Sequence, residues 1–372
     1  MNKFMKIIIF YLLFTTSFGV ISQVQADVSV FVFKNNFDFK SCKVSVRSKT
    51  ELPTVFTTVL GDSGGKEFAT EKVVSNYRRY FMSLSSNARI SDTHAQLTRD
   101  EIVKISKQKK LQWDAEWKKN QYNNLFFTAS IAIPVALEVL YQKDNFTKDE
   151  LEIIVKYLNF LNAQMSKTNP TRDYDWSPNN LSFDYAVFSY ALGLIENKQS
   201  HKNKAIKIFK LGLSELRKDG SIPGDAKRVG SALHYTNKAV SALVTLAELA
   251  IVDNKNLYDV KHKGVLSSHE KDIELAINFL ISATENQNLI YPYALEGQRQ
   301  GSNGFKGYSP SNQDKRFINN DLISWGYYFL RRFPDSDLSK RLLKLSPFLK
   351  LKKIGYGETA GANPRCFITG NP

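Results

Sequence analysis

In the run "DGSIPGDAKRVGSALHYTNKAV", Lys227 and Arg228 precede Tyr235, and Arg228 stands about two turns ahead of it if that span is helical. A tyrosine donates a proton as it stands but must ionise to accept one. With an ordinary pKa near 10, about one part in a thousand is phenolate at pH 7. A nearby guanidinium favours the ionised form, so Arg228 bears on whether Tyr235 could serve as a base. Upstream, Asn179 and Asn180 follow Pro178 in "RDYDWSPNNLSFDYAVFSYALGLI", and amide donors beside a cation suit an anion. Both stretches have a plainer use. Tyr235 shares one helical stripe with Ala239, Ala242, Leu246 and Leu249, as a core tyrosine would. Asparagines ahead of an apolar helix are caps.

Asp219-Gly220 and Pro223-Gly224 mark turns, so Lys227 and Arg228 fall just ahead of the helix that carries Tyr235. From Asp100 onward, segments of helical length follow one another, among them "RDEIVKISKQKKLQWDAEWKK", "NNLFFTASIAIPVALEVLYQ" and "KDELEIIVKYLNFLNAQM". Around Ile206, Phe209, Leu213 and Leu216 the apolar residues recur every three or four positions with Lys204, Lys207 and Lys210 between them, an amphipathic surface helix. "AVSALVTLAELA" and "ASIAIPVALEVL" are apolar nearly all round and call for burial on most sides. Outer amphipathic and inner buried helices in alternation predict an all-α fold, an incomplete (α/α) toroid of helical hairpins; a compact bundle is the competing architecture. Before residue 95 the pattern is mixed, with "DVSVFVF" alternating like a strand and "LGDSGG" reading as a loop. The expected division is a signal peptide over 1–26, an irregular and strand-bearing segment over 27–95, the toroid over 96–350 and a tail over 351–372.

The signal peptide is expected because Lys3 and Lys6 precede an apolar run from Ile7 to about Ile21, followed by Val24, Gln25 and Ala26. About 15 apolar residues fall short of the roughly 20 that span a bilayer, and no later segment reads as a span, so the mature chain is expected in the periplasm or outside the cell. Cleavage after Ala26 lowers the formal net charge from +15 to +13. So cationic an exported chain suggests a polyanionic partner: acidic polysaccharide, membrane surface or nucleic acid. Nothing resembles a nucleic-acid motif or a basic amphipathic anchor. Only Cys42 and Cys366 are present, and if the chain ends meet, their pairing would be worth about 5 kcal/mol in the loop-entropy model. With these and five scattered histidines, no metal site or other cofactor is expected.

Taken together, "NNLSFDYAVFSYALGLI" and "DGSIPGDAKRVGSALHYTNKAVSALVTLAELA" resemble the alginate lyases of polysaccharide lyase family five. Those proteins carry Asn-Asn-His-Ser-Tyr-Trp at the first place. At the second they carry Asp-Gly-x-Leu-Pro-x-Glu-Leu-Lys-Arg and then Ala-Leu-x-Tyr-His-Asn-Tyr-Ala. The intervals from position 181 to Arg228 and from Arg228 to Tyr235 match the family's spacing. The resemblance implies an incomplete helical toroid, a periplasmic setting and a cleft where an acidic, uronate-containing polysaccharide is cut by β-elimination; the chain is expected to be a monomer. It implies Asn180 as the amide that neutralises the uronate carboxylate, Arg228 as the cation of the active centre and Tyr235 as the catalytic tyrosine. Lys227, Lys238, Asn179 and Trp325 are expected to contact substrate.

The departures matter as much. Leu181 stands where the family has its catalytic histidine, Asp184 replaces a tryptophan, Thr236 a histidine and Lys238 a tyrosine. If "VFTTVLGDSG" matches the family's Ser-Lys-Tyr-x-Gly-Ser-Asp loop, Val59 replaces its lysine. His234 adjoins Tyr235, but neighbouring helical residues point about 100° apart. Two readings follow: a lyase of altered specificity, or a catalytically impaired relative that binds acidic exopolysaccharide without cutting it. The run "QRQGSNGFKGYSPSNQDKRF" reads as a lid over an anionic chain or as a plain loop.

Overall fold

A computed structural model describes residues 44–56, 69–168, 178–263, 270–301, 308–314 and 324–345. The signal peptide, the run "DVSVFVF", "LGDSGG", Val59, both cysteines and the tail beyond 350 lie outside the described residues, as do 302–307 and 315–317 of the expected lid.

Helices α1 (Ala69–Asn87), α2 (Asp92–Lys107), α3 (Gln121–Tyr141), α4 (Lys148–Ser166), α5 (Asn180–Ile195) and α6 (Gln199–Glu215) form the first half. The second half has α7 (Pro223–Ala226), α8 (Ala232–Val252), α9 (Ile273–Glu285), α10 (Tyr291–Arg299), α11 (Ser324–Arg332) and α12 (Asp337–Lys344). Their starts follow local chemistry. Ser91 caps α2, Asp272 caps α9, and Thr147 with Glu150 closes a capping box at α4. Two short ribbons accompany them: β1 (Val55–Phe56) runs parallel to β2 (Gln112–Trp113), and β3 (His262–Lys263) antiparallel to β4 (Glu270–Lys271).

α1, α3, α5, α8 and α11 pack side by side in that order, while α2, α4, α6, α9 and α12 each back the inner helix just before them. This double layer is the incomplete toroid of hairpins, not the compact bundle. Burial follows the two grades of helix. In α3 every residue from Thr128 to Leu140 is buried, and in α5 all but Leu181 and Leu194 are. In outer α6, Ala205, Ile208, Phe209 and Leu213 are buried while Lys207 and Lys210 are exposed.

The inner helices run the same way. Near their N-termini, α8 meets α11 through Asn237 and Trp325, and meets α3 through Lys238 and Phe126. At their C-termini, Ser85 of α1 bonds Glu138 of α3, and Glu248 of α8 bonds Arg332 of α11. One end of the ring therefore gathers N-termini and the other C-termini.

Three expectations change. The segment before residue 95 is not only strand and loop, for α1 lies within it, and Val74, Tyr77, Phe81 and Leu84 carry a helical stripe into the core. The long segment after Arg99 is not one helix. α2 ends at Lys107, Lys109 and Leu111 take φ of 44° and 66°, and the chain then pairs as β2 with β1. Among the described residues α3 is long and apolar enough to cross a membrane, yet its most apolar window is 83% buried inside the fold, as a core helix requires.

Candidate functional site

The N-terminal end of the ring is where the sequence motifs meet. Gly220, at φ 91°, makes the turn expected at Asp219-Gly220, and Pro223 opens the single-turn α7. That delivers Arg228 ahead of α8, and its guanidinium carbon lies 4.2 Å from the centroid of the Tyr235 ring. Such contact is a cation–π pair, attractive by about 0.5–1 kcal/mol where solvent reaches it and more where it does not. Tyr235 is not a core tyrosine. From Ala232 to Ala250 it is the one residue of α8 that is not buried. His234 adjoins it with ring centroids 5.2 Å apart and planes at 75°, but His234 itself is buried.

Asn179 caps α5: its side-chain oxygen accepts the N–H groups of Leu181 at 3.0 Å and Ser182 at 3.4 Å. Of the two asparagines it takes the structural task. Asn180 differs. Its backbone N–H donates to Asp225 Oδ2 at 3.0 Å, while its side-chain Nδ2 is buried with no hydrogen-bond partner among the described residues. A buried donor left unmade costs about 1–3 kcal/mol, so a ligand that accepts from it recovers that cost.

Asp225 is fully buried, and burial pushes its carboxyl up to about 8. Arg228, the Asn180 N–H and Lys238 pull the other way, and the negative charge of Asp184 on α5 adds to the rise. Lys238 is 4% exposed, with its ammonium 4.1 Å from the centroid of the Phe126 ring on α3. Ionisable groups from α5, α7, α8 and the Arg228 turn thus act on one another at the end of the ring that carries Tyr235. Among the described residues, no group of three His, Cys, Asp or Glu is placed to hold a metal ion.

Other expected contacts fall differently. Trp325 is 1% exposed and its indole N–H donates to Asn237 Oδ1 at 2.8 Å, so it braces α8 against α11 and offers no face to a ligand. Lys227 is tied at 2.7 Å to Glu296 on α10. Leu181 is one of two half-buried residues of α5 and sits in its first turn, at the same end as Tyr235. Asp225 went unremarked as a site residue because "PGD" reads as turn chemistry. The signal was present: a carboxylate occupies the same place in the family run quoted above.

Comparison with known proteins agrees with the helical toroid. A family model described as alginate lyase matches residues 66–290. Among solved structures, alginate lyase A1-III from Sphingomonas species A1 is 18% identical, with a TM-score of 0.66 over 94% of this chain and 95% of that one. A tyrosine-to-phenylalanine variant of alginate lyase A1-III, complexed with a tetrasaccharide, matches equally, with 18% identity, a TM-score of 0.66 and the same coverage of 94% and 95%. An alginate lyase from Bacteroides ovatus is 13% identical, with a TM-score of 0.52 over 78% of this chain and 77% of that one. No curated protein matches.

Proposed function

This chain belongs to the alginate lyase family, a family of polysaccharide lyases, and we propose that it cuts a uronate-containing polysaccharide by β-elimination with Tyr235 as the proton-transfer residue. The observation that carries this reading is the Arg228 guanidinium lying over the single unburied residue of α8 between Ala232 and Ala250.

In such a reaction the C5–H bond breaks, its electrons form the C4–C5 double bond, and the C4–O bond breaks with the pair leaving on oxygen. A base takes the C5 proton and an acid protonates the departing glycosidic oxygen. While the neighbouring carboxylate is charged, the C5 proton is barely acidic, so the site must neutralise that group. Asn180 supports this role through its unpartnered Nδ2, and Arg228 through its charge. Tyr235 donates to the leaving oxygen and, as phenolate beside Arg228, receives the C5 proton. The oligosaccharide complex of a protein with the same fold supports a cleft for an acidic sugar chain. Lys238 and the basic balance of the chain favour a polyanion, and the N-terminal pattern supports export to the periplasm.

A second reading rests on Leu181. At the position of the family's histidine the chain presents an aliphatic, half-buried side chain that can carry no proton. Loss of one general acid or base typically costs about 10²- to 10⁴-fold, well within the acceleration of a whole enzyme, so a tyrosine-only lyase is chemically sufficient. The experiment is ultraviolet absorbance of the unsaturated uronate product on polymannuronate, polyguluronate and polyglucuronate, beside Tyr235→Phe. Product that disappears in the variant supports the lyase. Binding with no product on any polymer favours an impaired relative that holds polysaccharide.

A further inference from the structure

Between Arg228 and Tyr235 stands Val229 with φ of 47°, a left-handed backbone that a β-branched residue takes only when its surroundings impose it. The imposing group comes from far along the chain. Gln313 is 1% exposed, and its side-chain nitrogen donates to the Val229 carbonyl at 3.0 Å and to the Pro310 carbonyl at 2.7 Å. Its side-chain oxygen accepts the Leu233 N–H, in the first turn of α8, at 3.1 Å. One amide therefore spans the strained turn and the start of the helix that carries Tyr235. Beside it the Asp314 N–H donates to the Gly230 carbonyl at 2.7 Å. Gly230 is pressed so closely that an added Cβ would lie 2.4 Å from the Cβ of Tyr308. Residues 308–314 thus grip both flanks of the turn.

We propose that Gln313 is a positioning residue for the reaction, holding Val229 in its left-handed turn and the first turn of α8 in place so that Arg228 lies over the Tyr235 ring. The proposal rests on the reading of Arg228 and Tyr235 as the reacting pair. If Gln313 only filled space, its loss would lower stability and leave the pair's geometry alone. As a positioning residue, its loss releases the strain by moving Arg228. A displacement on the order of 1 Å can cost about 100-fold in rate.

The test is Gln313→Ala in the full mature chain, read in two ways. Steady-state kinetics on the preferred polymer should show kcat down about 10- to 100-fold with KM little changed. In ¹⁵N-arginine spectra the Arg228 side-chain resonance, identified with Arg228→Lys and displaced by the Tyr235 ring, should return toward that of a free arginine. Adding Val229→Gly to Gln313→Ala should restore part of the lost rate, because glycine takes a positive φ without strain and needs no clamp. A Gln313→Ala protein that melts earlier but keeps its kcat and its Arg228 resonance would overturn the proposal, as would a double variant with no recovery. Should Gln313→Ala not fold, Gln313→Asn, whose amide is one methylene shorter and cannot bridge both sites, is read by the same two measurements. A wild-type chain without lyase activity refutes the assigned reaction, while the arginine spectra still decide whether Gln313 sets the contact.

Discussion

The two ends of the inner ring handle buried charge in opposite ways. Where the helices finish, Glu138 is 1% exposed and Arg89 grips it with two nitrogens at 2.9 and 2.8 Å, its guanidinium stacked 3.4 Å over the Tyr141 ring. Ser85 and Gln142 also donate to that carboxylate. Glu248 is forked in the same manner by Arg332, at 3.1 and 2.7 Å, and takes a further bond from the Tyr258 hydroxyl. Where the helices begin, Asp225 is buried with its carboxyl pushed up to about 8, Asn180 Nδ2 has no partner among the described residues, and Tyr235 is the one unburied residue of α8 between Ala232 and Ala250. One end uses its polar groups to hold hairpins together. The other retains polar groups at the expense of stability, as a site that must meet a ligand does.

The sharpest way to separate the ends is Tyr235→Phe. Product formation should fall by about 10²- to 10⁴-fold with the melting temperature essentially unchanged, by ultraviolet assay and calorimetry. The converse change at the other end is Glu138→Ala, which strands Arg89. A loss of about 3–5 kcal/mol in urea unfolding is expected, with kcat per folded molecule preserved. A large fall in kcat there would break the division of labour.

Asn180→Ala should affect both quantities in opposite directions. Removing a buried amide with an unpartnered nitrogen should raise stability by about 1 kcal/mol, while kcat/KM falls at least tenfold. A protein that loses stability and keeps its rate would make Asn180 a structural residue after all.

The remaining effect is a slope with pH. Because the folded carboxyl of Asp225 sits near 8 against an ordinary 3.8, the folded state keeps a proton that the unfolded chain has released between those values. Stability should therefore fall as pH rises through that window, by no more than about 1.4 kcal/mol per unit for one proton. Asp225→Asn, which keeps an acceptor for the Asn180 N–H, should flatten that part of the profile. Urea midpoints at pH 5 and pH 8 measure it, and an unchanged slope in the variant would assign the dependence elsewhere.

Much of this was legible along the chain because it is local. The all-round apolar character of α3 and α8 specified their burial, and the interval from Arg228 to Tyr235 put cation and phenol on one approach. What escaped depends on distant partners. Gln313 touches Val229 and Leu233, and Trp325 touches Asn237, across separations no period or propensity encodes. Trp325, expected to contact substrate, is instead a buried brace, and the partner of its N–H identifies it as one. Asn179 and Asn180 look alike in sequence and diverge because the side chain of one accepts the helix's own amides while the side-chain nitrogen of the other has no partner among the described residues.

The shared direction of the inner helices carries a further consequence. Each α-helix is a macroscopic dipole worth about half a positive charge at its N-terminus, and here the inner-helix N-termini lie at the end of the ring that carries Tyr235. An anionic chain in solution would then be drawn toward that rim before any side chain touches it. Capture would slow as added salt shortens the reach of the field, while turnover of already bound polymer, governed by contacts at a few ångströms, would scarcely respond.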